Sequence, residues 1–185
     1  MAITPDDKNW TWVLERPCPE CAFDASSFPR DEVGPALRAN ASAWPQLLES
    51  PFARTRPSDD KWSALEYACH VRDVFSLFDR RLVLMLEQDD PLFENWDQDA
   101  TAIADRYEEQ DPEQVGPELE RSGAVLADRF DSVPAGAWTR RGRRGDGAAF
   151  TIDTFSRYLL HDPVHHVHDV KAGFEELERR PLELS

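Results

Sequence analysis

The histidines of this sequence are concentrated in one short segment near its C-terminal end. Four of the five lie within residues 161–168, in the stretch HDPVHHVHD. Two pairs in this stretch have an i, i+4 spacing: His161/His165 and Asp162/His166. On a helix that spacing places both side chains on one face, where they can bind the same metal ion. Histidine and carboxylate ligands together suit Zn, Ni or Fe.

A helical wheel places the two pairs on different sides of the predicted helix. Its apolar stripe consists of Ile152, Phe155, Leu159, Pro163, Val167, Val170 and Phe174. His161 and His165 point nearly opposite to this stripe, whereas Asp162 and His166 lie on its flank. Pro163 removes one backbone hydrogen bond, and a bulge there would rotate His161 toward His166. Both pairs therefore remain candidate ligands, against the alternative of a solvated face that is rich in histidine.

A second helix presents two polar residues on its apolar side. It is predicted over about residues 63–88, because Ser63 followed by Glu66 forms a capping-box pattern. His70 lies outside the polar arc of this helix, so it is either a core histidine with a hydrogen-bond partner or an inward-facing metal ligand. Arg81 lies on the same side. It is a candidate catalytic residue that orients a substrate carboxylate, unless its stem packs and its head reaches solvent.

The three cysteines argue against a disulfide framework, because their number is small and odd. Cys18 and Cys21 form a CxxC motif, which is half of a zinc-ribbon pattern. No second CxxC exists in the sequence, so a four-cysteine site within one chain is impossible. We interpret Cys18 and Cys21 as a buried structural pair, with a redox or zinc role as the alternative. Cys69 falls on the core-facing side of its helix and is interpreted as a packing residue.

The elements that must position these residues are mainly helical. Apolar periodicity and capping signals predict helices over about residues 32–49, 63–88, 97–109, 112–130 and 151–177. Strand signals are scarce, so the sequence predicts an all-α fold, a four-helix bundle over residues 31–185. Residues 1–30, rich in tryptophan, phenylalanine and proline, are expected to form an irregular N-terminal arm over that bundle. Residues 132–147 contain four arginines between Pro/Gly clusters and are predicted to form a loop or a hairpin.

Composition excludes several classes of partner. The 185 residues carry a formal net charge of −15, which argues against binding to nucleic acid or to anionic lipid. No run approaches the roughly 18 apolar residues that a membrane-spanning helix needs. The N-terminal residues show no basic-then-apolar signal pattern, so a cytoplasmic location is expected.

One segment carries a family resemblance. The stretch WSALEYACHVRD, which begins at Trp62, resembles the second helix of the DinB/YfiT-like metalloenzyme superfamily, whose pattern there is W-S-x-x-E-x-x-x-H. In that superfamily the last helix carries His or Glu, then His four residues later, then a polar residue three further on. Asp162, His166 and Asp169 match this spacing, with Asp in place of the first His or Glu. The superfamily includes the metal-binding domain of mycothiol-dependent maleylpyruvate isomerase and related thiol S-transferases.

The resemblance implies a four-helix bundle, often dimeric, that binds one divalent metal ion. Its ligands would be His70, Asp162 and His166, with His161 and His165 as alternatives because of the departure at Asp162. The implied function is that of a metal-dependent S-transferase or isomerase, which joins a low-molecular-weight thiol such as mycothiol to a small electrophile. Zinc is the first expectation for the metal, ahead of nickel or iron, and a homodimer is expected. The alternatives are a non-catalytic metal-binding stress-response protein and a metal-assisted hydrolase.

Overall fold

The computed structural model describes residues 10–180, and its backbone is mostly helical. The five α-helices are α1 (Val33–Leu48), α2 (Ala64–Glu87), α3 (Gln98–Ala104), α4 (Pro112–Asp131) and α5 (Ile152–Glu178). The strands are β1 (Leu92–Phe93), β2 (Arg141–Arg144) and β3 (Ala149–Thr151). Short 3-10 helices cover Trp10–Leu14, Arg30–Glu32, Tyr107–Glu109 and Ala135–Ala137.

The four long helices form the predicted bundle. Helix α4 packs against both α1 and α2, and α5 packs against the same two helices from the other side. The core between them contains large side chains with almost no exposed surface, among them Trp44, Phe75, Leu119, Phe130 and Phe155. Burial of this size, at about 2 kcal/mol per large side chain, lets the bundle fold on its own core. No helix within residues 10–180 is long and apolar enough to cross a membrane.

A small sheet departs from the all-α prediction. Strands β2 and β3 pair as an antiparallel hairpin, and β1 adds to β2 in parallel. Gly147 occupies a left-handed conformation in the turn, with φ of 95°, which a residue without a Cβ adopts at little cost. The strictly all-α prediction is therefore wrong for this segment, whereas the hairpin alternative for residues 132–147 is confirmed. The arginines of β2 do not show the apolar alternation that predicts a strand.

The long connection between α2 and α4 is also more broken than predicted. The helix expected over residues 97–109 ends as α3 at Ala104, and Arg106 then adopts a positive φ of 51° before a 3-10 turn. This path carries Trp96 back over α2 and buries Tyr107, whose hydroxyl donates a 2.5 Å hydrogen bond to Asp73. The connection therefore closes one end of the bundle above the helix that carries His70.

Helix α5 runs unbroken through Pro163 and contains no π bulge. The carbonyl of Pro163 accepts a 2.9 Å hydrogen bond from the side-chain amide of Asn40 on α1. The angular relation between residues on either side of the proline is therefore that of a regular helix. His161 is not rotated toward His166, and the two i, i+4 pairs stay on different faces of α5.

The part of the N-terminal arm that the structure describes, residues 10–30, lies against the bundle. Its first 3-10 helix, Trp10–Leu14, packs on α5, and Val13, Cys18 and Ala25 are buried. The arm covers the face of α5 that carries His161 and His165. Both histidines are consequently buried, although the helical wheel placed them opposite the apolar stripe.

Candidate metal centre

The first turn of α2 positions His70. Ser63 caps the helix by accepting a hydrogen bond from the Glu66 backbone N–H, and the Glu66 carboxylate accepts from Ser63 in return. Arg56 donates from both Nε and a terminal nitrogen to the same carboxylate. Because Glu66 is buried and fully engaged, it orders the helix start and does not face the metal centre. His70 follows one turn later and points into the bundle.

His70 meets Asp162 and His166 from α5. One ligand atom from each of the three residues lies within 4.8 Å of the other two. The Nε2 atom of His70 is 3.6 Å from Oδ2 of Asp162, and the Nε2 atom of His166 is 3.5 Å from Oδ1 of the same carboxylate. These separations exceed hydrogen-bond length. They are of the size expected between neighbouring ligands that surround one cation at about 2.1 Å from each.

The polar atoms of this cluster lack protein partners. Both ring nitrogens of His70 and Oδ2 of Asp162 are buried and form no hydrogen bond with any residue in the described range 10–180. A buried polar group without a partner costs on the order of 1–3 kcal/mol. A divalent cation here would give one ring nitrogen of His70 and Oδ2 of Asp162 a partner at once, so the residues present fit a metal ion.

The charges of the cluster also fit a cation. Burial lowers the pKa of His70, which keeps the imidazole neutral, the form that binds metals. Burial raises the pKa of Asp162, but His166 and His70 outweigh it and hold that pKa well below its usual range. Burial lowers the pKa of His166, but Asp162 and Asp169 outweigh it and raise that pKa to about 9. The carboxylates of Asp162 and Asp169 stabilise a positive charge on His166. A divalent cation at the cluster would supply that positive charge in place of the proton on the His166 imidazole.

Comparison with known proteins identifies the family of this chain. The model of the DinB superfamily matches residues 36–170, a range that includes all three residues of the cluster. The chain belongs to the DinB superfamily. Among solved structures, YfiT from Bacillus subtilis, a probable metal-dependent hydrolase with an unusual four-helix bundle topology, is 15% identical. The alignment covers 96% of this chain and 94% of YfiT with a TM-score of 0.65. No curated protein matches the chain significantly.

Aromatic rings pack around the cluster of His70, Asp162 and His166, here called the DinB cluster. The ring of His70 stacks on Trp96 with centroids 5.5 Å apart and lies 5.2 Å from Trp62. The ring of Tyr67 lies 4.8 Å from that of His166. The ring of Trp96 excludes water from one face of His70 and so strengthens electrostatic interactions there. Neither Trp96 nor Tyr67 is predicted from the sequence to belong to the site. Tyr67 lies in the matched motif, whereas Trp96 reaches the site only through the long connection.

A cavity of about 420 Å³ opens beside the cluster, and the rings of Trp62 and Tyr67 form part of its wall. Asp162 and His166 line it, together with Tyr67 and Tyr158 from the bundle and Trp10 from the arm. A volume of this size suits a small-molecule ligand. The cluster is therefore accessible to a substrate from the cavity.

The structure places the other candidate residues elsewhere. Arg81 lies eleven residues after His70 on α2, about 16 Å along the helix axis. It donates a 3.0 Å hydrogen bond to the Glu94 carbonyl, and its guanidinium lies near the rings of Phe78 and Phe93. Arg81 does not line the cavity, so its position does not support the predicted role in orienting a carboxylate at the metal centre. His161 and His165 lie on the neighbouring face of α5, beneath the arm, and line the same cavity as Asp162 and His166.

Asp169 supports the cluster from outside. Its Oδ2 atom is 3.3 Å from Nδ1 of His166, so the imidazole can donate to Asp169 and present Nε2 toward Asp162. A carboxylate that orients a metal-binding histidine in this way typically contributes a factor of 10–100 in affinity. The sequence analysis matched the position of Asp169 to the family spacing but assigned no ligand role to it.

We expect Asp169→Ala to weaken metal binding about 10–100-fold, because His166 loses the acceptor that fixes its orientation. Competition with a metal-sensitive dye would measure the affinity. His168→Ala is the matched control, since His168 is exposed on the same turn of α5. An unchanged affinity in Asp169→Ala would show that His166 does not bind the metal through this arrangement.

Proposed function

We propose that this DinB protein is a metal-dependent enzyme that transfers a low-molecular-weight thiol to an electrophilic carbon. The observation that carries the proposal is the cluster of His70, Asp162 and His166, whose ligand atoms converge at the wall of a cavity, with the ring nitrogens of His70 and Oδ2 of Asp162 lacking hydrogen-bond partners within residues 10–180. Three protein ligands leave a coordination position open, which is the usual arrangement in catalytic sites.

The chemistry needs a nucleophile and an enclosed site. When bound, a divalent cation would lower the pKa of a thiol or of water at the open position. The ring of Trp96 stacks on His70, and the rings of Trp62 and Tyr67 form an aromatic part of the cavity wall. Tyr158, in the cavity wall, accepts a 2.7 Å hydrogen bond from Arg144 and can donate its own proton to a bound substrate. These side chains bind and orient the substrate beside the cluster.

The charges of the cavity indicate which thiol it accepts. Beyond the cluster and Asp169, its wall contains the carboxylates of Glu20, Asp60 and Asp99 and the ammonium group of Lys61. Lys61 lies 3.1 Å from Glu176, which offsets its charge. An acidic wall disfavours anionic ligands. Mycothiol carries no ionised group apart from its thiol at neutral pH, whereas glutathione and coenzyme A are anionic. We therefore infer a preference for an uncharged thiol of the mycothiol type.

A metal-assisted hydrolase is the second candidate. The same open position that accepts a thiol would accept water. YfiT, which has the same fold, is described as a probable metal-dependent hydrolase, and this favours the second candidate specifically. The two proposals use the same residues and differ only in the nucleophile, so dependence on added thiol separates them.

The test is a conjugation assay with metal-loaded protein. Mycothiol, bacillithiol, glutathione and coenzyme A would each be mixed with monochlorobimane, and His70→Ala would serve as the blank. We expect a rate that disappears on chelation, returns with added metal and is highest for mycothiol. Full ionisation of a thiol of pKa about 8.5 alone would accelerate the reaction roughly 30-fold at pH 7.

Two other outcomes would contradict this proposal. Metal-dependent cleavage of an activated ester without any thiol, and no conjugation above the blank, would favour the hydrolase. Metal binding without either reaction would favour a non-catalytic metal-binding protein.

A further inference from the structure

The arm brings two cysteines to the histidines that the DinB cluster does not use. Cys18 and Cys21 lie at the two ends of a tight turn, closed by a 2.9 Å hydrogen bond from the Ala22 N–H to the Cys18 carbonyl. Ala22 adopts a positive φ of 60°, and the Cys18 N–H donates to the Phe23 carbonyl at 2.9 Å. This turn directs both thiols toward α5.

Four potential ligands meet where the turn touches α5. One ligand atom from each of Cys18, Cys21, His161 and His165 lies within 4.8 Å of the other three. The Sγ atom of Cys18 is 3.6 Å from Nδ1 of His165. In a tetrahedral zinc site, with Zn–S of about 2.3 Å and Zn–N of about 2.05 Å, sulfur and nitrogen ligands are about 3.6 Å apart. The observed separation is therefore that of two ligands of one zinc ion.

The surroundings of these four residues also fit a metal ion. Cys18, His161 and His165 are buried, and Nε2 of His161 forms no hydrogen bond with any residue in the described range 10–180. The indole of Trp10 covers both histidines, with its centroid 5.3 Å from each imidazole. A buried imidazole nitrogen without a partner, next to two thiols, needs a positive ion or a proton donor.

The ring nitrogen of His165 that does not face Cys18 lies near carboxylates, as is usual for metal-binding histidines. The Nε2 atom of His165 is 3.6 Å from Oδ1 of Asp169 and 3.5 Å from Oδ2 of Glu20. Its Nδ1 atom is thus left to face Cys18. Because the other oxygen of Asp169 faces His166, one carboxylate supports a histidine from each of the two clusters.

We propose that Cys18, Cys21, His161 and His165 bind a second metal ion, a structural zinc. Two thiolates and two neutral imidazoles balance the charge of Zn²⁺, and sulfur ligands select zinc over magnesium, calcium or manganese. The two cysteines release their thiol protons to water on binding. Four protein ligands leave no open coordination position, which is typical of structural sites and distinguishes this one from the three-ligand DinB cluster.

The position of this site gives it a role in shaping the cavity. It would join the arm to α5 across 147 residues of chain. Trp10 of the arm and Glu20 within the cysteine turn line the cavity, as do His161, His165 and His166. A zinc ion here would hold that wall in place. Cys18 and Cys21 lie outside residues 36–170, the part of the chain that matches the superfamily model.

The test measures how much metal the full chain binds and which atoms bind it. Protein produced with zinc is expected to contain two equivalents by elemental analysis, and the double variant Cys18→Ser/Cys21→Ser one. Cys69→Ser is the matched control and should keep both, because Cys69 is buried on α2 outside the cluster. Equal metal content in the wild type and the double variant would overturn the proposal.

Cobalt substitution gives a second measurement that does not depend on the cysteine variant folding. Thiolate-to-cobalt charge-transfer absorption is expected in the wild type and in His70→Ala. The variant retains the four residues of the second site even if the DinB cluster no longer binds metal. Its absence from the wild type would overturn the proposal. Because this signal arises only from sulfur ligands, it reports on Cys18 and Cys21 whether or not the protein catalyses thiol transfer.

Discussion

Replacing His70 with alanine is expected to remove the metal ion of the DinB cluster and to leave a folded helical protein. His70 is the one residue that α2 contributes to the candidate cluster, and its loss leaves Asp162 and His166, two residues from one helix. Loss of an outer hydrogen-bond partner typically weakens metal binding or activity 10–100-fold, so loss of a ligand should weaken it by at least about 100-fold. The bundle core does not depend on this residue, because its large side chains pack elsewhere.

The measurement is metal content by elemental analysis, alongside circular dichroism and the conjugation rate. We expect one equivalent less metal than in the wild type, an unchanged helical spectrum and a rate at the chelated background. His168→Ala, a surface histidine, should retain the wild-type content. Wild-type metal content in His70→Ala would mean that His70 is not a ligand.

Replacing Glu66 with alanine is expected to lower the free energy of unfolding by about 3 kcal/mol. The change removes the reciprocal hydrogen bonds with Ser63, worth about 1 kcal/mol in a helix cap. It also leaves the partly buried guanidinium of Arg56 without its carboxylate, and breaking a buried pair typically costs 3–5 kcal/mol. Because Arg56 is partly exposed, solvent screening weakens this ion pair, so the total is about 3 kcal/mol, below the sum for a fully buried pair.

Urea denaturation at neutral pH would measure this loss, and Ser63→Ala is the smaller control at about 1 kcal/mol. Burial raises the pKa of Glu66, but hydrogen bonds from Arg56 and Ser63 outweigh it and lower that pKa below its usual range. The stabilisation is therefore complete above the usual glutamate pKa of about 4.3 and lost as pH falls through the lower folded-state value. Metal content should remain that of the wild type. A Glu66→Ala variant as stable as the wild type would contradict the structural role.

The two predictions separate two kinds of residue within one sequence motif. In WSALEYACH, Ser63 and Glu66 begin the helix, and His70 faces the candidate metal centre. The motif thus combines a helix cap with a ligand one turn later. The cap sets where the helix begins, and the i, i+4 spacing then sets the direction of His70. Loss of the cap should affect stability, whereas loss of His70 should affect metal binding.

Features that depend on a few neighbouring residues could be read from the sequence. The capping box at Ser63, the bounds of the long helices and the shared face of Asp162 and His166 all follow from periodicity and local hydrogen bonding. The all-α prediction failed at β1 to β3, because the arginine-rich strand β2 lacks apolar alternation and because the parallel pairing of β1 with β2 joins segments about 50 residues apart. No local pattern reports such a pairing.

Tertiary structure decided which histidines meet which partners. A helical wheel places His161 and His165 about 100° from Asp162 and His166, but it does not show what packs against each face. The regular turn through Pro163 and the packing of α2 bring His70 to Asp162 and His166. The arm covers the other face of α5 and buries His161 and His165, which were expected to point away from the apolar stripe. It also places the CxxC turn against these two histidines. The sequence alone determined which residue types share a helix face, because that depends on backbone geometry, whereas long-range packing determined which faces meet.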